Sequence, residues 1–174
     1  MAHFVSLISM WSLIMVPYFF SASSKKKRPM SEMVHESRLL EFIFNLGLVV
    51  TGFCLIISSL EATLKLNSSV ILVIPSTIGG ISLMSSGIVS RNVNCEKHDL
   101  LIRFAFTFLL ITQVLGGLNT LIPLTTLSMS CVVLAFTNAF FVLFYWMRRQ
   151  IAKVEVYTIL ITSFWMVVTI VRLY

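Results

Sequence analysis

The sequence predicts an all-α fold, a polytopic bundle of six transmembrane helices, and three observations lead to this prediction. The 174-residue chain is 57% hydrophobic and only 11% charged, whereas a soluble domain carries about 25% charged residues. Six apolar runs are each close to the roughly 20 residues that cross the hydrocarbon core of a bilayer. Most of the 13 Lys and Arg residues fall in three short stretches that separate these runs. Cytoplasmic loops of polytopic membrane proteins retain Lys and Arg in this way.

Each predicted span is an apolar run bounded by polar residues or by a turn. The spans cover residues 2–20, 39–60, 70–89, 100–121, 124–147 and 154–173. Only a turn around Pro123 separates the fourth span from the fifth, so we expect a tight helical hairpin there. The first span is the shortest, and a five-span arrangement with this segment on the membrane surface keeps the orientation of the others. The whole chain is therefore expected to form a single transmembrane domain.

The charge distribution predicts the orientation of the spans. The first, third and fifth loops hold the three basic stretches, whereas the second and fourth loops together hold only Lys65. The basic loops are expected in the cytoplasm, which places both termini on the extracellular or lumenal side. No basic residue precedes the first apolar run, and a basic cluster follows it. This order favours a retained first helix over a cleaved signal peptide.

The basic stretches predict a surface that holds anionic lipid headgroups, with each Lys or Arg contributing about 1 kcal/mol near the membrane. They flank apolar runs and form no continuous basic face, so nucleic acid is not an expected partner. The candidate lipid contacts are Lys25, Lys26, Lys27, Arg28, Arg148 and Arg149.

The third span is rich in small residues, which suggests close helix packing. Ser76 and Gly80 are four residues apart, as are Ser82 and Ser86. Small residues at this spacing let helix backbones approach closely in lipid. The alternative is a helix that lines a pore or substrate path and is broken near Pro75.

Three amides inside the spans are further candidates for contacts with ligands or helices: Asn45, Gln113 and Asn138. An amide in hydrocarbon needs a hydrogen-bonding partner, so these side chains are expected to face the interior of the bundle. They would bond one helix to another, or bind the polar headgroup of a ligand.

The remaining polar residues give no strong indication of catalysis. Glu41 and Arg103 share the cytoplasmic level and would form a structural pair. Cys95 and His98 are three residues apart, but a zinc site needs further ligands and His35 is the only obvious one on that side. We therefore predict no metal, no cofactor and no catalytic residue. The Asn67 sequon would be glycosylated only in a eukaryotic lumen.

Two stretches resemble the DRAM-like membrane proteins and allied six-span families. Residues 29–32 (Pro-Met-Ser-Glu) look like the Pro-x-Ser-Glu element before the second helix of those families. The Gly-rich run 80–89, followed by His98, is similar to their third helix and following histidine. The resemblance implies a lipid-associated or trafficking-related role without catalysis. It departs in topology, because the first loop is lumenal in those families, whereas its basic residues favour the cytoplasm here.

The predicted function is that of a non-enzymatic integral membrane protein. It would be an accessory or assembly subunit of a membrane complex, or a lipid-interacting scaffold, with membrane lipids, other membrane chains or a second copy as partners. The alternative is a small transporter or channel for a neutral or lipid-like substrate through spans three to five. A membrane enzyme ranks third, since it would need His35, Cys95, His98 and Asp99 to converge.

Overall fold

A computed structural model describes most of the chain. The described residues are 2–21, 34, 37–66, 70–119, 126–147 and 151–173. All statements below concern these residues. The candidate lipid contacts of the first and third basic stretches lie outside them, as do His35, Asn67 and the Pro-Met-Ser-Glu element of residues 29–32.

The fold is all-α, which confirms the predicted class, and the described residues form no β-strand. The first segment consists of α1, a π-helical stretch and α2, which follow one another without a break; we call it the N-terminal segment. Five longer helices follow it. The bounds are α1 (Ala2–Ser9), the π-helical stretch (Met10–Met15), α2 (Val16–Ser21), α3 (Arg38–Leu66), α4 (Val70–Ile88), α5 (Cys95–Asn119), α6 (Thr126–Met147) and α7 (Ile151–Leu173).

Each predicted span overlaps one helical segment, but not every segment meets the length of a membrane crossing within the described residues. Stretches of α3 (Arg38–Glu61, mean hydropathy 2.2) and α5 (Cys95–Gly116, mean hydropathy 1.6) are long and apolar enough to cross a membrane. Shorter apolar stretches occur at Phe4–Met15, Val73–Ile88 and Glu155–Val168. The crossing of a membrane by all six segments therefore stays a prediction.

The helices pack mainly against their neighbours in the chain. Close contacts join α3 to α4, α4 to α5, α5 to α6, and α6 to α7. The N-terminal segment packs along α3, and α1 also contacts α7, which closes the arrangement into a ring. Helices α3 and α7 approach each other much less closely. The middle of the ring is consequently packed by long side chains rather than by backbone contact.

Helix α4 runs through Pro75 without interruption. The predicted break near Pro75 is therefore wrong, whereas a pore-lining or substrate-lining role for this helix stays a prediction. Pro75 lies inside α4, where its nitrogen cannot donate a hydrogen bond to the carbonyl four residues before it.

The outer surface of the ring is apolar on every helical segment. Large apolar side chains are exposed along the N-terminal segment and along all five longer helices. Soluble monomers rarely expose contiguous apolar patches larger than a few hundred Å². Examples from each segment are Phe20, Phe42, Phe53, Ile81, Phe104, Phe136, Phe140 and Phe164.

Candidate functional site

The interior of the ring contains many polar side chains as well as an apolar core. Buried hydroxyls, amides and one carboxylate occur on α1, α3, α4, α5, α6 and α7. A buried polar group costs free energy unless it is hydrogen-bonded, so the partners of these groups decide how the helices are held together. The main ones are Ser9, Thr51, Ser76, Gln113, Asn138, Glu155, Thr158, Thr162 and Ser163.

Two of the predicted amides form a network that joins three helices. Asn138 on α6 donates from Nδ2 to Oε1 of Gln113 on α5 at 2.8 Å. Gln113 in turn donates from Nε2 to Oγ1 of Thr162 on α7 at 2.9 Å. Asn138 and Gln113 are almost completely buried. We call these three residues the amide network. Its amides form hydrogen bonds between helices, which was one of the two predicted uses; the other was binding the polar headgroup of a ligand.

The amide network leaves one acceptor without a partner. The Oδ1 atom of Asn138 is buried and accepts no hydrogen bond from the part of the chain that the structure describes. An unsatisfied buried acceptor costs about 1–3 kcal/mol.

Helices α3 and α4 meet through glycines at a backbone-to-backbone contact. A Cβ atom added to Gly80 would lie 2.7 Å from the carbonyl oxygen of Gly52, and one added to Gly52 would lie 2.5 Å from that of Gly80. A Cβ atom on Gly87 would lie 2.5 Å from the carbonyl oxygen of Asn45. Real Cβ atoms do not approach so closely, so only glycine fits.

The spacing of these contacts explains their register. Asn45 precedes Gly52 by seven residues, and Gly80 precedes Gly87 by seven residues. Two antiparallel helices repeat the same contact every two turns, as in a coiled coil. We call these four residues the glycine seam. The predicted candidates Gly80 and Asn45 are thus brought together in one helix interface, although Asn45 contributes its carbonyl rather than its side-chain amide.

Ser76, the remaining predicted candidate on α4, is buried one turn from Gly80. Gly79, the residue before Gly80, faces α5 instead. A Cβ atom added to Gly79 would lie 3.4 Å from the side chain of Leu109. Ser76 and Gly80 therefore lie in a tightly packed helix, and they do not join Gln113 and Asn138 in a single site.

The N-terminal segment is held by polar contacts and by a close approach to α3. The hydroxyls of Ser9 and Thr51 are 3.0 Å apart, and Trp11 donates from Nε1 to Oγ of Ser163 on α7 at 3.0 Å. A Cβ atom on Gly47 would lie 2.7 Å from Cβ of Leu13. The π-helical stretch lies at this contact, and π-helical turns occur frequently at functional sites.

A cavity of about 40 Å³ lies in the middle of the ring. We call it the central cavity. Its lining comes from the π-helical stretch and from α3, α4, α5 and α7, and the surface that it exposes is formed by apolar atoms. Among the lining residues are Met10, Leu48, Leu83, Leu109, Ile159 and Met166.

Helix α7 presents a polar stripe beside the central cavity that the sequence analysis did not single out. Glu155, Thr158 and Thr162 line the cavity, and all three are buried. The Oγ1 atom of Thr158 has no hydrogen-bonding partner among the described residues. These side chains are three and four residues apart, which places them on one face of a helix. This spacing is the feature of the sequence from which the polar stripe could have been predicted.

A second polar cluster lies where α3 begins and α4 turns into α5. Glu41 accepts a hydrogen bond from Ser90 at 2.5 Å and another from Asn92 at 2.7 Å. Arg91 and Asp99 form an ion pair at 3.7 Å. This cluster fastens the α4–α5 turn to the first turn of α3, which is a structural role.

His98 is held against the end of α4. Its Nδ1 atom lies 2.9 Å from the carbonyl oxygens of both Ser86 and Val89, so Nδ1 carries the hydrogen. Its Nε2 atom is buried, and no described residue forms a hydrogen bond with it. Cys95 instead accepts from Nε of Arg91 at 3.3 Å. The imidazole of His98 therefore donates to carbonyl oxygens at the end of α4. The described residues contain no group of three or more potential metal ligands.

Comparison with known proteins adds no relative: no protein-family model matches the chain, and searches of curated proteins and of solved structures return no match. The resemblance to DRAM-like proteins stays a prediction. The geometry above must therefore support any functional conclusion by itself.

Proposed function

We propose that this protein is a non-enzymatic, multi-pass membrane protein that acts through lateral contacts with lipids and with other membrane helices. It crosses the membrane six times, with both termini on the extracellular or lumenal side. Its role is that of an accessory or assembly subunit of a membrane complex, or of a lipid-interacting scaffold.

The observation that carries the proposal is the distribution of polar and apolar side chains. Apolar side chains cover the outside of all six segments, while hydroxyls and amides are buried between the helices. A lipid environment favours this arrangement, because polar side chains find partners only inside the bundle. The predicted basic loops then lie at the cytoplasmic surface, where Lys25, Arg28 and Arg148 attract anionic headgroups.

The use of the buried polar groups supports a non-enzymatic role. Gln113, Asn138 and Thr162 bond to one another, and His98 bonds to helix-end carbonyls. Groups that are occupied in this way hold the helices in register. They would have to break structural contacts before they could act on a substrate.

Purification from the native membrane tests this proposal. We expect the protein, extracted in polymer-bounded membrane discs, to bring a stoichiometric partner chain, a second copy or enriched anionic lipid with it. A variant in which Lys25, Lys26, Lys27 and Arg28 are all glutamine should lose the lipid enrichment. Lys65→Gln is the matched control, because Lys65 is predicted on the opposite face. A monodisperse protein with no partner and no enriched lipid would contradict the proposal.

Transport of a neutral or lipid-like substrate through spans three to five is the second candidate, and the observation that favours it is the buried Oδ1 atom of Asn138, which accepts no hydrogen bond from the described residues. A fluorescent short-chain phospholipid in proteoliposomes is a suitable probe. Movement of this probe between leaflets that is lost in both Gln113→Leu and Asn138→Leu would favour transport. If the probe moves no faster than in protein-free liposomes, the transport hypothesis is wrong.

A further inference from the structure

We infer that the central cavity is a binding site for the terminal carbons of one alkyl chain of a membrane lipid. This inference rests on the proposed function, because it requires that the protein lies in a bilayer. It goes further by assigning a place in the fold, a ligand class and a size limit.

The size of the cavity excludes most occupants. Its volume of about 40 Å³ exceeds the roughly 10–15 Å³ that a single water molecule needs. It is far below the roughly 150 Å³ of an engineered cavity that binds benzene. A ring or a headgroup is therefore too large, whereas the end of a linear chain is narrow enough.

The chemistry of the wall distinguishes a chain from water. A buried water needs two to four polar partners. Four polar residues are among those that line the cavity, Thr51, Glu155, Thr158 and Thr162, but the surface that the lining exposes to it is formed by apolar atoms. An apolar cavity of this kind stays dry, and it offers a chain end dispersion contacts on all sides.

The position of the cavity gives its wall room to adapt. It lies where α3, α5 and α7 face one another across the ring, and these helices are less closely packed there than neighbours in the chain. Met10 and Met166 stand on its wall. Methionine side chains are flexible and fill irregular space, so they can move aside for a chain of slightly larger volume. The surrounding bilayer supplies alkyl chains at high concentration.

Photo-crosslinking tests this inference. The protein is reconstituted in bilayer discs of phosphatidylcholine that carries a diazirine on the terminal carbon of one acyl chain. After irradiation, adducts are mapped by peptide mass spectrometry. We expect adducts at Met10 or Met166 in the cavity, in addition to outward residues such as Phe136 and Phe140.

Two variants fill the cavity from different helices, Ile159→Phe on α7 and Leu109→Phe on α5. Each should abolish the adducts at Met10 and Met166 and leave the outward adducts unchanged. The matched control is Val167→Phe, at an exposed position of α7, which should change neither set. If one filling variant fails to fold, the other still tests the site.

The outcomes separate this inference from the proposed function. Adducts at outward residues without adducts in the cavity overturn the inference and leave membrane embedding intact, since the cavity is then a sealed packing void. Cavity adducts that persist in both filling variants also overturn it. An absence of outward adducts overturns the proposed function itself.

Discussion

The two halves of the ring are held together by opposite means. Along the glycine seam, α3 and α4 touch through their backbones, and the absence of side chains at Gly52, Gly80 and Gly87 makes the contact. Across the ring, α7 is held by the amide network and by the bond from Trp11 to Ser163, with the central cavity beside them. The glycine seam has no space for an additional side-chain atom, whereas the central cavity leaves unfilled space beside α7. Close packing and spare volume therefore occur at different interfaces of the bundle, although α3 and α4 border both.

The largest expected effect comes from adding one methyl group to the glycine seam. Gly80→Ala places a Cβ atom 2.7 Å from a backbone oxygen, and the helices must separate to admit it. We expect a loss of about 2–3 kcal/mol in the free energy of unfolding, measured by denaturant titration in mild detergent.

The neighbouring glycine is the matched control. Gly79→Ala places a Cβ atom in ordinary contact with the side chain of Leu109 at 3.4 Å and the carbonyl oxygen of Ala105 at 3.5 Å, and alanine favours a helix over glycine by roughly 0.5–1 kcal/mol. Its effect should lie near zero or be slightly stabilising. Equal losses in the two variants would show that the seam does not depend on close backbone approach.

The second largest effect is expected in the amide network. Gln113→Leu leaves the hydrogens of Asn138 without their acceptor, and the cost should be about 1–2 kcal/mol. The double variant with Asn138→Leu should cost less than the sum of the single variants, because the two side chains share a hydrogen bond. Thr137→Val is the control, since its hydroxyl bonds only within α6. Strict additivity in the double variant would contradict the network.

A gain in stability is expected beside the central cavity. Thr158→Val replaces a buried hydroxyl that has no partner by a methyl group of similar size. Removing the desolvation cost should stabilise the protein by about 1 kcal/mol. Thr162→Val, one turn further along α7, should destabilise it because Gln113 loses its acceptor. If the free energy of unfolding changes in the same direction in both variants, the two hydroxyls do not differ in hydrogen bonding as described.

The smallest effect is expected where the N-terminal segment meets α7. Trp11→Phe keeps an aromatic side chain at this position but removes the hydrogen bond to Ser163. The free energy of unfolding should fall by about 0.5–1 kcal/mol. Ser12→Ala is the control, because Ser12 is exposed and bonds only to its own helix. If both variants have the same free energy of unfolding, the bond to α7 contributes nothing measurable.

The sequence predicted the helical segments better than their ends. Helix α3 continues six residues beyond the predicted end at residue 60, past Glu61. Helix α5 begins at Cys95, five residues before its predicted start, with Glu96 in the first turn, where an acidic residue is favourable. Counts of apolar residues locate the hydrocarbon-sized part of a helix, whereas a helix ends where its backbone loses hydrogen-bonding partners.

The candidate residues were predictable as a class but not as pairs. Small residues on α4 and amides on α5 and α6 were expected to face other helices. That Gly80 meets Gly52, and that Gln113 reaches Thr162, depends on the register between helices, which no single helix encodes. Glu155 was missed because it lies one turn from the start of α7, where a charge is commonly read as a flanking residue.

Accessibility of one native cysteine tests the central claim, a six-span bundle with both termini outside, most directly. Cys95 is exposed at the start of α5, on the predicted cytoplasmic side, and Ser68→Cys places a thiol in the second loop. In intact cells, a membrane-impermeant maleimide should label the thiol at position 68 and leave Cys95 unlabelled until the membrane is permeabilised. Labelling of Cys95 in intact cells, with protection at position 68, would contradict the predicted orientation.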